Sequence, residues 1–166
     1  MSAPPQKPSA EEIAAFADRE AIREELAAYF EALGRHDWQR IADGFAFGAS
    51  LDYGTPGVRD VEGNLRLLRA GVERLASVST LLGMQARVWT SGDAASSETG
   101  AFTAHLAADA EPRRMRVSFV RYADAWLRSP DGRWRVSRRE LVPLVKGWLA
   151  LDAARPAPLS APPRPA

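Results

Sequence analysis

The chain has 166 residues, enough for one domain with a buried core, and its 22 basic and 21 acidic residues leave a formal net charge of +1. That balance gives no electrostatic pull towards nucleic acid or an anionic membrane. There is no cysteine, which removes disulfides, thiolate nucleophiles and thiolate metal sites; with His36 and His105 as the only histidines, a metal centre would have to be built mostly from carboxylates. No apolar stretch reaches the length of a bilayer crossing, and the first residues lack the basic-then-apolar plan of a secretory signal, so a cytoplasmic protein is expected.

Residues 1–8 and 151–166 are rich in Ala and Pro and carry no apolar period, so they are expected to be disordered tails around an ordered domain over residues 9–150. Ser9-Ala10-Glu11-Glu12 fits a capping box, in which hydroxyl and carboxylate each satisfy a free backbone donor. The helix it opens has Ile13, Phe16, Ala17, Ile22, Leu26, Tyr29, Phe30 and Leu33 at helical spacing, with Gly34 as a stop. Asp18 offers a restart, so the segment reads as one helix or as two with a kink. Asp37 caps a short second helix with a stripe of Trp38, Ile41, Ala42 and Phe45. Residues 49–53 read as a short strand closed by Gly54-Thr55-Pro56-Gly57, and Asp60 caps a third helix carrying Val61, Leu65, Leu68, Val72 and Leu75.

Beyond residue 78 the pattern turns to strands. Residues 80–91 form a first long one, followed by a tight turn at Gly92-Asp93; residues 94–107 form a second, 114–128 a third and 133–143 a fourth, the last two joined through Pro130-Asp131-Gly132. Helices first and an antiparallel meander afterwards is an α+β order, with the helices on one face of the sheet.

Several short motifs in that order resemble the SnoaL-like family, part of the superfamily of scytalone dehydratase, the steroid Δ5-isomerases and nuclear transport factor two. They are Ala21-Ile22-Arg23 through Tyr29 and Leu33, Asp37 opening the second helix, Phe45 to Asp52-Tyr53, Gly92-Asp93-Ala94, Arg121-Tyr122-Ala123-Asp124 and Asp131-Gly132-Arg133-Trp134-Arg135-Val136. The likeness runs over roughly residues 12–145. It implies a cone: a curved antiparallel sheet wrapped around the three N-terminal helices, with an internal pocket. It also implies a small apolar ligand as partner and a homo-oligomer, dimer or trimer. Enzymes of this superfamily are mostly cofactor-free lyases, isomerases and cyclases acting on ring compounds, although one fold hosts many functions.

The chain departs from those enzymes at their His–Asp pair. Thr80 or Leu81 stands where the His belongs, Met84 replaces the Asn of the same motif, and Gly34 stands where the Asp partner often sits. A general base must titrate near the working pH within hydrogen-bond reach of its proton, which Thr and Leu cannot do.

Four polar residues remain as catalytic candidates. His105 shares a strand face with Thr103, Ala101 and Thr99, where relatives also place a polar catalytic residue; the plain reading is a sheet histidine bonded to a neighbour. Asp52 is an acid or base if it points into an apolar pocket, and a turn cap if it serves Gly54–Gly57. Tyr29 matches the pocket-facing helix tyrosine of relatives, or is a core aromatic with a wet hydroxyl. Arg139 falls where some family enzymes bind a leaving group or carboxylate, or is an exposed arginine paired with Asp124 or Glu140. Tyr53, Thr80, Met84, Trp89, Phe102 and Phe119 are expected to line the pocket. The expected function is a cofactor-free lyase, isomerase or cyclase using acid–base chemistry on a small, mostly apolar ring compound, with no metal and no nucleotide loop. The alternative is a binding or assembly module that has lost the dyad.

Overall fold

A computed structural model describes residues 7–82, 86–107 and 114–150. Three helices and six strands follow in the order α1 (Ala10–Arg35), α2 (Trp38–Asp43), β1 (Phe45–Asp52), α3 (Val61–Val72), β2 (Leu75–Leu82), β3 (Arg87–Ser91), β4 (Ala94–Ala107), β5 (Arg114–Arg128) and β6 (Trp134–Ala150). Residues 1–6 of the expected N-terminal tail, the expected C-terminal tail and Met84 lie outside the described residues. No described helix is long and apolar enough to cross a membrane.

The caps fall where the side-chain chemistry puts them. Ser9 Oγ accepts from the Glu12 amide while the Glu12 carboxylate accepts from the Ser9 amide; Asp37 and Asp60 accept from Arg40 and Gly63 at the starts of α2 and α3. Gly34 does not end α1. The helix runs unbroken from Ala10 to Arg35, and His36 takes the left-handed conformation at φ 59°, its amide donating to the Ala32 and Leu33 carbonyls. Only the second half of α1 is buried, through Ile22, Leu26, Tyr29, Phe30 and Leu33, whereas Ile13 and Phe16 are exposed.

The strands order as β1-β6-β5-β4-β2, with β3 beside the first half of β4, in one open sheet. The first long strand expected over 80–91 is therefore two strands that pair with successive stretches of β4, and Leu75 belongs to β2 rather than to α3. The sheet is mixed, not wholly antiparallel, because β1 pairs parallel to β6: Leu51 lies beside Arg139 and Asp52 beside Glu140. The fold is the open cone that the resemblance implied, α+β, with its helices on one face.

Two bulges on β6 curve the sheet. Between Ala125 and Trp126 the register moves from Arg138 to Val136, leaving Ser137 as the extra residue; between Phe119 and Val120 it moves from Val145 to Pro143, leaving Leu144. Each bulge flips the parity of β6. Trp134 and Val136 face inward, then Arg139 and Leu141, and beyond Leu144 it is Lys146 and Trp148 that share a face with inward-facing Ser118. The inner face also takes Ser97, Thr99, Ala101 and Thr103 of β4 and Val120, Tyr122, Asp124 and Trp126 of β5, all buried.

Candidate functional site

A buried ion pair anchors one end of the inner face. Arg139 donates from Nε and Nη2 to the two carboxylate oxygens of Asp124 at 2.7 and 2.8 Å, and their side chains are 1% and 0% exposed. Of the two partners considered for Arg139, the structure selects Asp124, directly opposite on β5. The expectation of an exposed arginine is corrected: the Ser137 bulge turns the side chain into the core. Burial alone would favour loss of its proton, but the charge and hydrogen bonds of Asp124 outweigh burial and hold the guanidinium charged.

Aromatic rings complete the enclosure. The Arg139 guanidinium carbon lies 4.4 Å from the centre of the Tyr29 ring, 4.9 Å from Tyr122 and 5.6 Å from Phe45, a desolvated cation against three π faces. Phe30 packs edge-on against both Tyr29 and Tyr122. The rings of α1 and β1 thus meet the sheet over the ion pair.

Above this base the hydroxyls of Tyr29 and Tyr53 stand 3.1 Å apart, one donating to the other. Burial, reinforced by Tyr29, pushes the Tyr53 phenol well above its ordinary pKa, so it stays a neutral donor. Two buried polar atoms, Thr99 Oγ1 and Arg139 Nη1, have no hydrogen-bond partner among the described residues; Thr99 lies across the strands from Tyr122. Deeper in, the Trp126 indole donates to Ser97 Oγ at 2.9 Å. None of Ser97, Thr99 or Tyr122 was singled out as a site residue from the sequence, although the alternation along β4 pointed at Thr99.

Asp52 is not part of this cluster. Its carboxylate accepts from the Gly54 amide at 2.9 Å and pairs with Arg59 at 3.1 Å, which makes it the turn cap. His105 faces inward, as alternation requires, but it sits six residues beyond Thr99, about 20 Å along the strand at the usual rise. It is half-buried, and burial, together with the charge of Arg116 directly opposite on β5, lowers its pKa. Tyr29, Tyr53 and Arg139 are therefore brought together; Asp52 and His105 are not brought to them.

Three expected pocket residues lie on the other side of the sheet. Phe102 packs against Phe119 on the outer face, the ring centres 4.9 Å apart and the planes tilted by 55°, where Phe119 is 53% exposed, and Trp89 borders a shallow outer cleft of about 300 Å³ with Glu98, Arg138 and Glu140. The reason is parity: residues adjacent to the inward-facing Thr103 and Val120 must point outward. Thr80 pairs with Thr103 through the backbone of β2, and its side chain lies outside the described residues. Among the described residues no group of three His, Asp or Glu side chains is placed to hold a metal ion.

The SnoaL-like domain pattern matches residues 14–140. The chain belongs to the SnoaL-like family. No curated protein sequence matches it. Among solved structures, a provisionally assigned scytalone dehydratase from Novosphingobium aromaticivorans DSM 12444 superposes with a TM-score of 0.70 at 18% identity, over 87% of this chain and 96% of that one. A hexachlorocyclohexane dehydrochlorinase of LinA type 3 from Novosphingobium barchaimii LL02 gives 0.70 at 19% identity, over 83% and 94%. An NTF2-like protein with a cystatin-like fold from Novosphingobium aromaticivorans gives 0.62 at 22% identity, over 84% and 92%. At these identities the likeness fixes the fold, and the SnoaL-like match fixes the family.

Proposed function

We propose that this SnoaL-like chain is a cofactor-free lyase- or isomerase-type enzyme whose ligand, a mostly apolar ring compound bearing an oxygen, lies between α1 and the inner sheet face. The observation that carries this reading is the Tyr29–Tyr53 hydroxyl pair above a permanently charged Arg139. A neutral phenol already hydrogen-bonded to a second phenol is a preorganised donor for a carbonyl oxygen on which negative charge develops, and the Arg139–Asp124 pair holds the Tyr29 ring in place beneath it. The dehydratase and dehydrochlorinase activities in the names of structural neighbours are of the same chemical class.

The proton on the carbon next to the carbonyl passes to a solvent water, and the C–H electron pair moves to the oxygen held by Tyr53. Either a substituent on the next carbon then departs with its bonding electrons, or the proton returns at another carbon. His105, about 20 Å along β4 from Thr99 at the usual strand rise, does not take that proton, because the carbon that loses it is two bonds from the oxygen at Tyr53. The test is turnover of fused-ring β-hydroxyketones, followed by ultraviolet absorbance of the conjugated product. Tyr53→Phe is expected to lower kcat by about a hundredfold.

The separation of His105 from the phenols also favours a second reading, a module that binds such compounds without changing them. Saturable binding of these ketones with no product, in wild type and Tyr53→Phe alike, selects that reading and rejects the enzyme.

A further inference from the structure

The mouth of the inner face carries a row of side chains that the phenol cluster does not use. In register across three strands, His105 of β4 lies opposite Arg116 of β5, which lies opposite Trp148 of β6; one step inward the row is Thr103, Ser118 and Lys146. Thr103 and Ser118 are buried, whereas Arg116, Lys146 and Trp148 are exposed, and Arg116, Lys146 and Trp148 border a depression of about 390 Å³. The second β6 bulge, at Leu144, is what returns Lys146 and Trp148 to this face. Among the described residues neither Arg116 nor Lys146 has a carboxylate partner, while most other arginines of the sheet do.

We propose that this row is a subsite for a carboxylate carried on an aromatic or alicyclic body. A guanidinium presents a planar donor fork to a carboxylate, Lys146 supplies a second positive charge one residue pair away, and the Trp148 ring, 63% exposed, offers a flat apolar surface for the body. A large exposed tryptophan beside two cations matches a ligand that is apolar over its body and anionic at its outer end. His105 adjoins Arg116 across the ladder, so the anion would rest beside its imidazole. The subsite rests on the reading of the inner face as the ligand site, and it names the substrate class: ring compounds with an acidic end group, oriented with that group at the mouth and the carbonyl at Tyr53.

The test compares 2-naphthoate with its neutral isostere 2-naphthamide, titrated into the full chain and followed by calorimetry. Naphthoate is expected to bind about five- to tenfold tighter, with the preference shrinking as salt rises. Arg116→Gln is expected to remove most of the preference and Arg116→Gln with Lys146→Gln all of it, while naphthamide affinity stays unchanged. Both positions are exposed, and an unaltered thermal midpoint shows that the variants fold. Equal binding of the two probes by wild type, or a preference that survives in the double variant, overturns the subsite. Tyr53→Phe separates the two readings: the preference is expected to persist there even if the phenol pair proves inert, whereas its loss in Tyr53→Phe places the carboxylate at the phenols and rejects the mouth subsite.

Discussion

The two ends of the inner face handle positive charge in opposite ways. At one end Arg139 is buried, and a carboxylate held by two hydrogen bonds, together with three aromatic faces, compensates its charge. At the other end Arg116 and Lys146 are exposed beside an exposed Trp148. A buried charge is committed to its partner and serves to position the rings above it, whereas a hydrated one remains available to a ligand. The same strands carry both, and the β6 bulges decide which residues reach which end.

The sharpest way to break this contrast is to remove one partner of the buried pair. Asp124→Ala leaves the Arg139 charge buried without compensation, and denaturant unfolding is expected to show a loss of about 3–5 kcal/mol. Replacing both, Asp124→Leu with Arg139→Met, is expected to recover stability to within about 1 kcal/mol of wild type while still losing whatever activity the phenols support. A double variant as unstable as Asp124→Ala would mean that the pair holds the fold by more than mutual compensation.

Next in size is Ser97→Ala, which strands the Trp126 indole N–H in the core and is expected to cost about 1–3 kcal/mol. Lys146→Gln at the mouth is expected to change stability by less than about 0.5 kcal/mol, as befits an exposed side chain. Comparable losses at both positions would erase the distinction between the two ends.

The smallest effect is electrostatic. His105 has its pKa lowered in the folded chain, so the unfolded chain binds more protons between that value and 6.5. Its contribution is complete above 6.5 and declines as pH falls through that value towards the lowered one. In Arg116→Gln the His105 imidazole, followed by proton NMR, is expected to titrate at higher pH than in wild type. An unmoved titration would show that the two side chains do not sense each other across β4 and β5.

Much of the scaffold can be read from residues alone because caps and turns are local. Ser9, Asp37, Asp60 and Gly92 each act on backbone groups within a few positions. The site is less legible. Simple alternation from Trp134 and Val136 sends Arg139 outward, and only the Ser137 bulge, a property of pairing with β5, reverses it. The same alternation along β4 places Phe102 on the face opposite His105, which strand parity alone makes legible. Leu75 continued the spacing of α3 until pairing with Ala107 claimed it for β2. The Tyr29–Tyr53 contact joins α1 to the end of β1, and no local pattern announces a contact between two such distant tyrosines.

The parallel pairing of β1 with β6 has a consequence for how the chain is born. Synthesis delivers β1 early, yet its ladder partner among the described residues, 136–140, emerges only after four further strands. Until then β1 has only local partners, such as the Leu51 amide on the Arg59 carbonyl, and Phe45 and Leu51 have no completed sheet to cover them. Such long-range closure is slow by nature, so assembly on the ribosome should wait for the last strand, and a message truncated before Trp134 should yield an aggregating fragment rather than a smaller fold.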